Sequence, residues 1–226
     1  MKRLLGKALD NAISLGVVII VLFLIIPIRT ELLDFLLIIN IGLSIMILMI
    51  TMNISETLEF SIFPSLLLVT TLFRLGLNVS STRAILSKGY AGEVIQNFGN
   101  LITGGNIVVG VVIFLIIVLV QFIVITKGAE RVAEVAARFT LDAMPGKQMA
   151  IDADLSSGLI DEQTARLRRG KIQKEADFYG AMDGATKIVK GDAVMSLLIT
   201  LINFVGGVII GMVMGGGDFS TVLQKY

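Results

Sequence analysis

The chain has no cysteine, no histidine and no tryptophan, and only three prolines and three tyrosines. Without cysteine there are no disulfides, no thiol chemistry and no thiolate metal sites. Without histidine the chain loses the usual general base, the usual proton shuttle near neutral pH and the commonest metal ligand. Proton chemistry therefore falls to Asp, Glu, Lys, Arg, Tyr or water. The formal net charge is +1, so there is no global field to attract a nucleic acid. Tyr90, Tyr179 and Tyr226 are the only tyrosines and make a weak aromatic belt. No catalytic constellation is legible, so no enzyme activity, cofactor or metal is expected. No period of 20–50 residues repeats, and a solenoid is not indicated.

What remains is mostly oil. Of the 226 residues, 55% are hydrophobic, too many for an ordinary globular domain. The reading is an all-α polytopic membrane protein in the lipid bilayer. Five apolar stretches are candidate transmembrane helices: 13–28, 35–52, 60–79, 106–126 and 193–214. The first is short for a hydrocarbon core of about 30 Å. Lys2, Arg3 and Lys7 precede it and favour a cytoplasmic N-terminus. No A-x-A-like cleavage site follows it, which favours a first span over a cleaved signal peptide. Asn40 in the second span calls for a hydrogen-bonding neighbour. Pro64 and Arg74 interrupt the third, where an Arg must snorkel or face protein or water. Residues 80–103 lie at the surface or form a short interfacial helix. Gly207, Gly211 and Gly215 are spaced by four and share one face of the fifth span, a pattern that permits close helix packing.

Between the fourth and fifth spans lies a polar insert, 127–192, holding 11 of the 19 Lys+Arg and 11 of the 18 Asp+Glu. The chain thus divides into an N-terminal membrane region (1–126), a charged loop (127–192), and a last span with its tail (193–226). Four crossings from a cytoplasmic N-terminus return the chain to the cytoplasm at Lys127, as the positive-inside rule prefers. The loop reads as mainly helical. In 128–144, Val132, Val135, Ala136 and Phe139 form an apolar face, and Arg138 and Asp142 are i,i+4 partners. Pro145-Gly146 is a turn signal that ends this helix, and Ser156-Ser157-Gly158 marks a second turn. Asp161 is an N-cap for a helix from Glu162 to about Ala181. Leu167, Ile172 and Phe178 of that helix are expected to pack on the first. Asp152-Ala-Asp154-Leu-Ser156 resembles the start of a calcium loop, but Ser157 and Gln163 stand where Gly and Glu are needed.

Asp183 and Lys187 are four apart. Asp192 directly precedes the last apolar run, which puts it near the membrane boundary. Two readings of Asp192 stand level. Loss of solvation there disfavours a charged carboxylate, which would make it proton-responsive. Equally, an Asp after Gly191 is a good N-cap for the fifth span.

The stretch Arg74-Leu-Gly-Leu-Asn-Val-Ser-Ser-Thr-Arg-Ala-Ile-Leu86 resembles the signature of the FHIPEP family, the large export-gate membrane proteins of bacterial flagella and type III secretion injectisomes. The resemblance continues through Val124–Val135, Asp142–Asp154 and Met182–Asp192, and Glu175–Gly180 is more similar to the flagellar branch. It implies a subunit of a homo-oligomeric ring in the bacterial inner membrane, working beside other export-gate membrane proteins. The implied role is to couple the proton motive force to export of unfolded substrates. Carried over by position, the residues implicated in coupling are Arg131, Arg138, Asp142, Asp183, Lys187 and Asp192. Family members dock export substrates and chaperones through a C-terminal domain that lies beyond Tyr226. A passive ring scaffold and an ion channel are the alternatives, the latter drawing on Asn40, Arg74, Gln121 and Asn203.

Overall fold

The computed structural model describes residues 15–16, 18–215 and 222, and no strand occurs among them. Helix α1 covers 18–25, and the remainder of the expected first span (13, 14 and 17) and the basic N-terminus lie outside the described residues. Helix α2, Thr30–Asn53, is apolar all round, and Leu33 is its one buried residue. A helix with no polar face and no cover is suited to lipid or to a neighbouring chain, because its backbone groups are already bonded internally.

A 3₁₀ turn, Thr57–Phe60, leads into α3, Phe63–Lys88. Pro64 does not interrupt this helix. It sits in the first turn, where its missing N–H is one the helix leaves unbonded anyway. The helix continues past residue 79 through the polar residues to Lys88, about 39 Å at 1.5 Å per residue. It is therefore one unbroken element, long enough to cross a membrane. Gly89, at φ 65°, stops it by donating its N–H to the Ile85 carbonyl.

The amphipathic helix α4, Glu93–Thr103, is capped from outside its own sequence. The Asp34 carboxylate of α2 accepts from the N–H groups of Glu93 at 2.9 Å and Val94 at 3.0 Å. Gly104 and Gly105, both at positive φ, turn the chain. Asn106 then caps α5, Ile107–Val120, by accepting from Val108 at 2.9 Å. A π-type stretch, Gln121–Ala129, connects α5 to α6, Glu130–Asp142.

Pro145 again opens a helix. The chain breaks at Ala143, and α7 runs Met144–Ser156 with the proline in its first turn. A turn around Gly158 (φ 76°) follows. Asp161 caps the last helix as expected, its Oδ1 accepting from the Thr164 N–H at 2.8 Å. That helix, α8, runs without interruption from Glu162 to Gly215, a length of about 80 Å. The boundary between loop and fifth span, 192–193, falls inside it.

Three stretches are long and apolar enough to cross a membrane: Thr30–Asn53, Thr57–Lys88 and Glu162–Val213. The pair α4–α5, bent by 99°, makes a fourth if it counts as one span. Five were expected. The difference lies in the first span, incompletely described, and in the fourth, which α5 fills only together with the π-type stretch.

The helices interlock by direction. Residue pairs 74–192 and 78–196 advance together, so α3 and α8 run parallel. Ser80 Oγ donates to the Phe23 carbonyl, and Arg83 to those of Leu24 and Ile25, so α1 also runs parallel to α3 and its C-terminal carbonyls are satisfied. Helices α7 and α8 form an antiparallel hairpin around Met144, Ile151, Ala165 and Ile172. Ile172 thus packs on α7, not on the first loop helix. Leu167 stays 70% exposed.

Candidate functional site

The site begins with a problem of solvation. Arg74 lies near the midpoint of α3, flanked by Leu and Phe, and Asp192 lies on the parallel neighbour α8. A charged side chain among apolar helices needs a partner, and here each is the other's: the Arg74 guanidinium donates to Asp192 Oδ2 in a salt bridge. The Asp192 side chain is 3% exposed and that of Arg74 is 45% exposed. The carboxylate is thus inside the seam while part of the guanidinium faces outward. One turn further, Asn78 donates to Ser196 Oγ at 3.2 Å and continues the polar seam. Asp192 Oδ1 is buried and receives no hydrogen bond among the described residues. A carboxylate with one oxygen engaged and the other bare retains acceptor capacity for a proton or a donor.

The helix-cap reading of Asp192 is overturned. Asp192 sits in the interior of α8, thirty residues past its start at Glu162, and its side chain reaches across to another helix. Gly191 fails to break the helix because packing against α3 outweighs the intrinsic weakness of one glycine. Ala185 and Ala193, small residues on the same stretch, are both buried there and allow the close approach. The boundary placement changes too, since the partner of Asp192 is the middle of a candidate span.

The other expected coupling residues stand apart from this seam. Asp183 and Lys187 pair on α8 at 2.7 Å. Arg138 and Asp142 pair loosely on α6 at 3.8 Å, both side chains over 70% exposed. Arg131 is exposed on the same helix. The structure does not gather the six into one cluster. The apolar face expected on α6 is also turned outward. Val132 and Phe139 are 71% and 72% exposed, and the residue α6 buries is Ala137. A small side chain lets the α6 backbone come close to α8, whereas the larger ones on the other face have no room in that seam.

On the charged half of α8, each Arg has a carboxylate. Arg168 meets Asp154 at 3.1 Å, Arg169 meets Asp152, and Arg166 meets Glu162. The two aspartates of the calcium-like stretch are therefore used as ion-pair partners across the α7–α8 hairpin. Lys147 bridges to Glu175 at 3.0 Å. Lys171 reaches Glu56 at 3.0 Å, which brings the connection after α2 beside the charged half of α8. Its hydrogen bond to Glu56, with the attraction of the same carboxylate, raises the Lys171 ammonium above its ordinary pKa. At the helix start, the hydrogen bonds from Thr164 hold the Asp161 carboxyl below the usual value.

Of the glycines expected to pack, Gly207 and Gly211 are buried, while the surroundings of Gly215 lie outside the described residues. A β-carbon on the adjacent Gly206 would touch Leu86 of α3 at 3.4 Å. Asn203, on the same stretch, has a buried amide oxygen with no hydrogen bond among the described residues.

Arg74 is the partner that a residue-by-residue reading left unassigned. Two signals pointed to it: an Arg within an apolar run demands a counter-charge, and 74/78 share the spacing of 192/196.

The FHIPEP family model matches residues 20–226. The chain is 61% identical over 207 residues to the flagellar biosynthesis protein FlhA of Bacillus subtilis, covering 92% of the chain and 31% of that protein. It is 50% identical over 228 residues to FlhA of Salmonella typhimurium, covering 97% of the chain and 33% of the relative. It is also 50% identical over 222 residues to the low calcium response locus protein D of Yersinia pestis, covering 98% and 32%. The chain spans about a third of the length of these curated relatives. No solved structure matches it.

Proposed function

The chain belongs to the FHIPEP family, and we propose that it is the N-terminal membrane portion of a flagellar or type III protein-export gate subunit in the bacterial inner membrane. In this reading it helps couple the proton motive force to export of unfolded substrates. The observation that carries the coupling is the buried Asp192 carboxylate, held by Arg74 on one oxygen and bare on the other. When Asp192 is ionised, its charge locks α3 to α8. Removing that charge takes away the attraction to Arg74 and loosens the parallel seam. Because α8 is one rigid helix from Glu162 to Gly215, movement at residue 192 carries into the charged segment that precedes it.

The charged segment from Lys127, up to where α8 enters the seam with α3, faces the cytoplasm in this proposal. The contact of Lys171 with Glu56, at the end of α2 opposite Asp34 and α4, supports this reading. Arg131, Arg138, Asp142, Asp183 and Lys187 then offer exposed charge to neighbouring subunits of a ring or to other gate proteins. Substrates and chaperones engage the part of the longer relatives that this chain does not cover.

The test is export by cells whose full-length protein carries Asp192→Asn or Arg74→Gln, measured beside the amount of that protein in the membrane. Loss of export at normal abundance is expected for both. Normal export in both variants would leave the chain as a ring scaffold without a part in coupling.

A further inference from the structure

We infer that α4 is an in-plane membrane anchor. Its apolar face rests on the hydrocarbon boundary of the leaflet opposite the 127–192 segment, and it binds the lipid surface through apolar area and not through headgroup charge.

The sequence of α4 places Val94, Ile95, Phe98, Leu101 and Ile102 at i, i+1, i+4, i+7 and i+8, one continuous arc of a helix. Glu93, Gln96, Asn97 and Asn100 fill the opposite arc. No residue of α4 is buried, and Phe98 and Leu101 are 52% and 79% exposed. Val94 and Ile95 are half-buried, and the fold leaves the rest of the apolar face, at Phe98, Leu101 and Ile102, without protein cover among the described residues.

Geometry decides what covers it. The N-terminus of α4 is held by Asp34 in the second turn of α2. Its C-terminus turns through Gly104 and Gly105 straight into the Asn106 cap of α5. Both anchors are ends of apolar helices, the level at which such helices leave the membrane. The bend between α4 and α5 is 99°, so a helix that follows the membrane normal in α5 leaves α4 lying flat. A flat amphipathic helix at that level sinks its apolar arc a few ångströms into the headgroup–acyl boundary, about 5–10 Å. The side is fixed by the same contacts: α4 sits by the start of α2, whereas the charged half of α8 sits by Glu56 after the end of α2.

The chemistry of the polar arc narrows the lipid partner. Interfacial helices that seek anionic lipid carry Lys or Arg on that arc. Helix α4 carries neither, and its one charge is the acidic Glu93. Zwitterionic headgroups therefore suffice.

The absence of native cysteine makes the test direct. The whole chain is reconstituted in phosphatidylcholine vesicles with one of Phe98→Cys, Leu101→Cys or Gln96→Cys, labelled with an environment-sensitive fluorophore. Ile41→Cys, near the middle of α2, serves as the deep reference. Quenching is read with nitroxides on shallow or deep acyl positions and with aqueous iodide. Labels at 98 and 101 are expected to be quenched several-fold more by the shallow nitroxide than by iodide, with the reverse at 96. The pattern should not change in vesicles containing phosphatidylglycerol or at high salt. Iodide quenching at 101 equal to that at 96 would overturn the proposal by showing a water-facing helix. Protection at 101 from every quencher would assign the face to a second protein surface. Quenching at 101 by the deep nitroxide as strong as at 41 would make α4 half of a re-entrant span. None of these readouts depends on the Arg74–Asp192 pair.

Discussion

Two halves of the chain carry carboxylates and cations in ion pairs, and they use them differently. At the α3–α8 seam one pair is taken out of solvent, with Asp192 buried and its second oxygen bare. On α6, α7 and the first half of α8, seven further pairs sit at the surface. The residue types are the same. What differs is the medium, and with it the energy of breaking each pair. In water an exposed pair contributes roughly 0–1 kcal/mol because solvent replaces the lost partner. Removing one member of a buried pair costs about 3–5 kcal/mol because nothing replaces it. Among the described pairs, breaking the one at the seam therefore carries the larger cost in packing.

The largest expected effect is at that seam. Asp192→Ala should destabilise the chain in detergent or vesicles by about 3 kcal/mol, the lower end of the range because Arg74 is partly exposed. The double replacement Arg74→Leu with Asp192→Leu should restore most of this, since apolar residues in place of a buried pair are often neutral or stabilising. Under the coupling proposal the double variant is stable yet inactive in export. Equal loss of stability in single and double variants, measured by chemical unfolding, would place the energy elsewhere than in the pair.

A third way of satisfying a carboxylate sharpens the contrast. Asp34 is held by two backbone N–H groups of α4 and by no cation. Asp34→Ala should cost about 1 kcal/mol as a lost N-cap, and Asp34→Asn much less. Gly92→Ala should exceed either, at about 1–3 kcal/mol. The backbone there has φ 117°, and a β-carbon would run into the Asp34 carboxylate. Proteolysis rates between α3 and α5 report this local opening. If Gly92→Ala leaves them unchanged, Asp34 is not a clamp.

The surface pairs should respond to pH by small amounts and with a definite sign. Lys171 has its pKa raised in the folded chain by Glu56. Its contribution is fully present below the unfolded value, near 10.4, and is lost as pH rises through the folded value. Lys171→Met should thus lower the unfolding midpoint at neutral pH and converge with the parent in strong alkali. Asp161 runs the other way. Its pKa is lowered, so its contribution is present above the unfolded value and is lost as pH falls through the folded one.

How much of this was legible follows the range of the interactions. The helical class, the Asp161 cap and the turn at Gly158 are written within a few residues and were readable. So was the i,i+4 pairing of Arg138 with Asp142. Pro64 was misjudged as a break, and the break expected at Pro145-Gly146 falls at Ala143, because each proline sits in the first turn of a helix whose start is set by packing beyond the local window. One of the two level readings made Asp192 a cap, because it follows Gly191 and precedes an apolar run. The seam with α3 that carries the helix through is made by residues more than a hundred positions away. The apolar arc of α6 was correctly identified as an arc but assigned to the wrong side. Periodicity gives a face, while only the neighbouring helix decides whether large residues or Ala137 fit against it.

The smallest effect on stability belongs to Arg138 and Asp142, and it is the most informative about the exposed half. Their side chains are 80% and 72% exposed and 3.8 Å apart. A double-mutant cycle with Arg138→Gln and Asp142→Asn should give a coupling energy of about 0.3 kcal/mol, falling with salt. Such a pair cannot hold a fold together, so any loss of export in these variants at normal membrane abundance has to come from outside the chain. The exposed Val132 and Phe139 on the same helix give a partner an apolar surface beside those charges. Export that fails in Arg138→Gln and returns with a compensating change in another gate protein would make α6 a docking face. The two halves would then divide the work, the buried pair sensing the proton and the exposed charges passing the change on. Export unaffected by both substitutions would remove Arg138 and Asp142 from the proposed coupling residues.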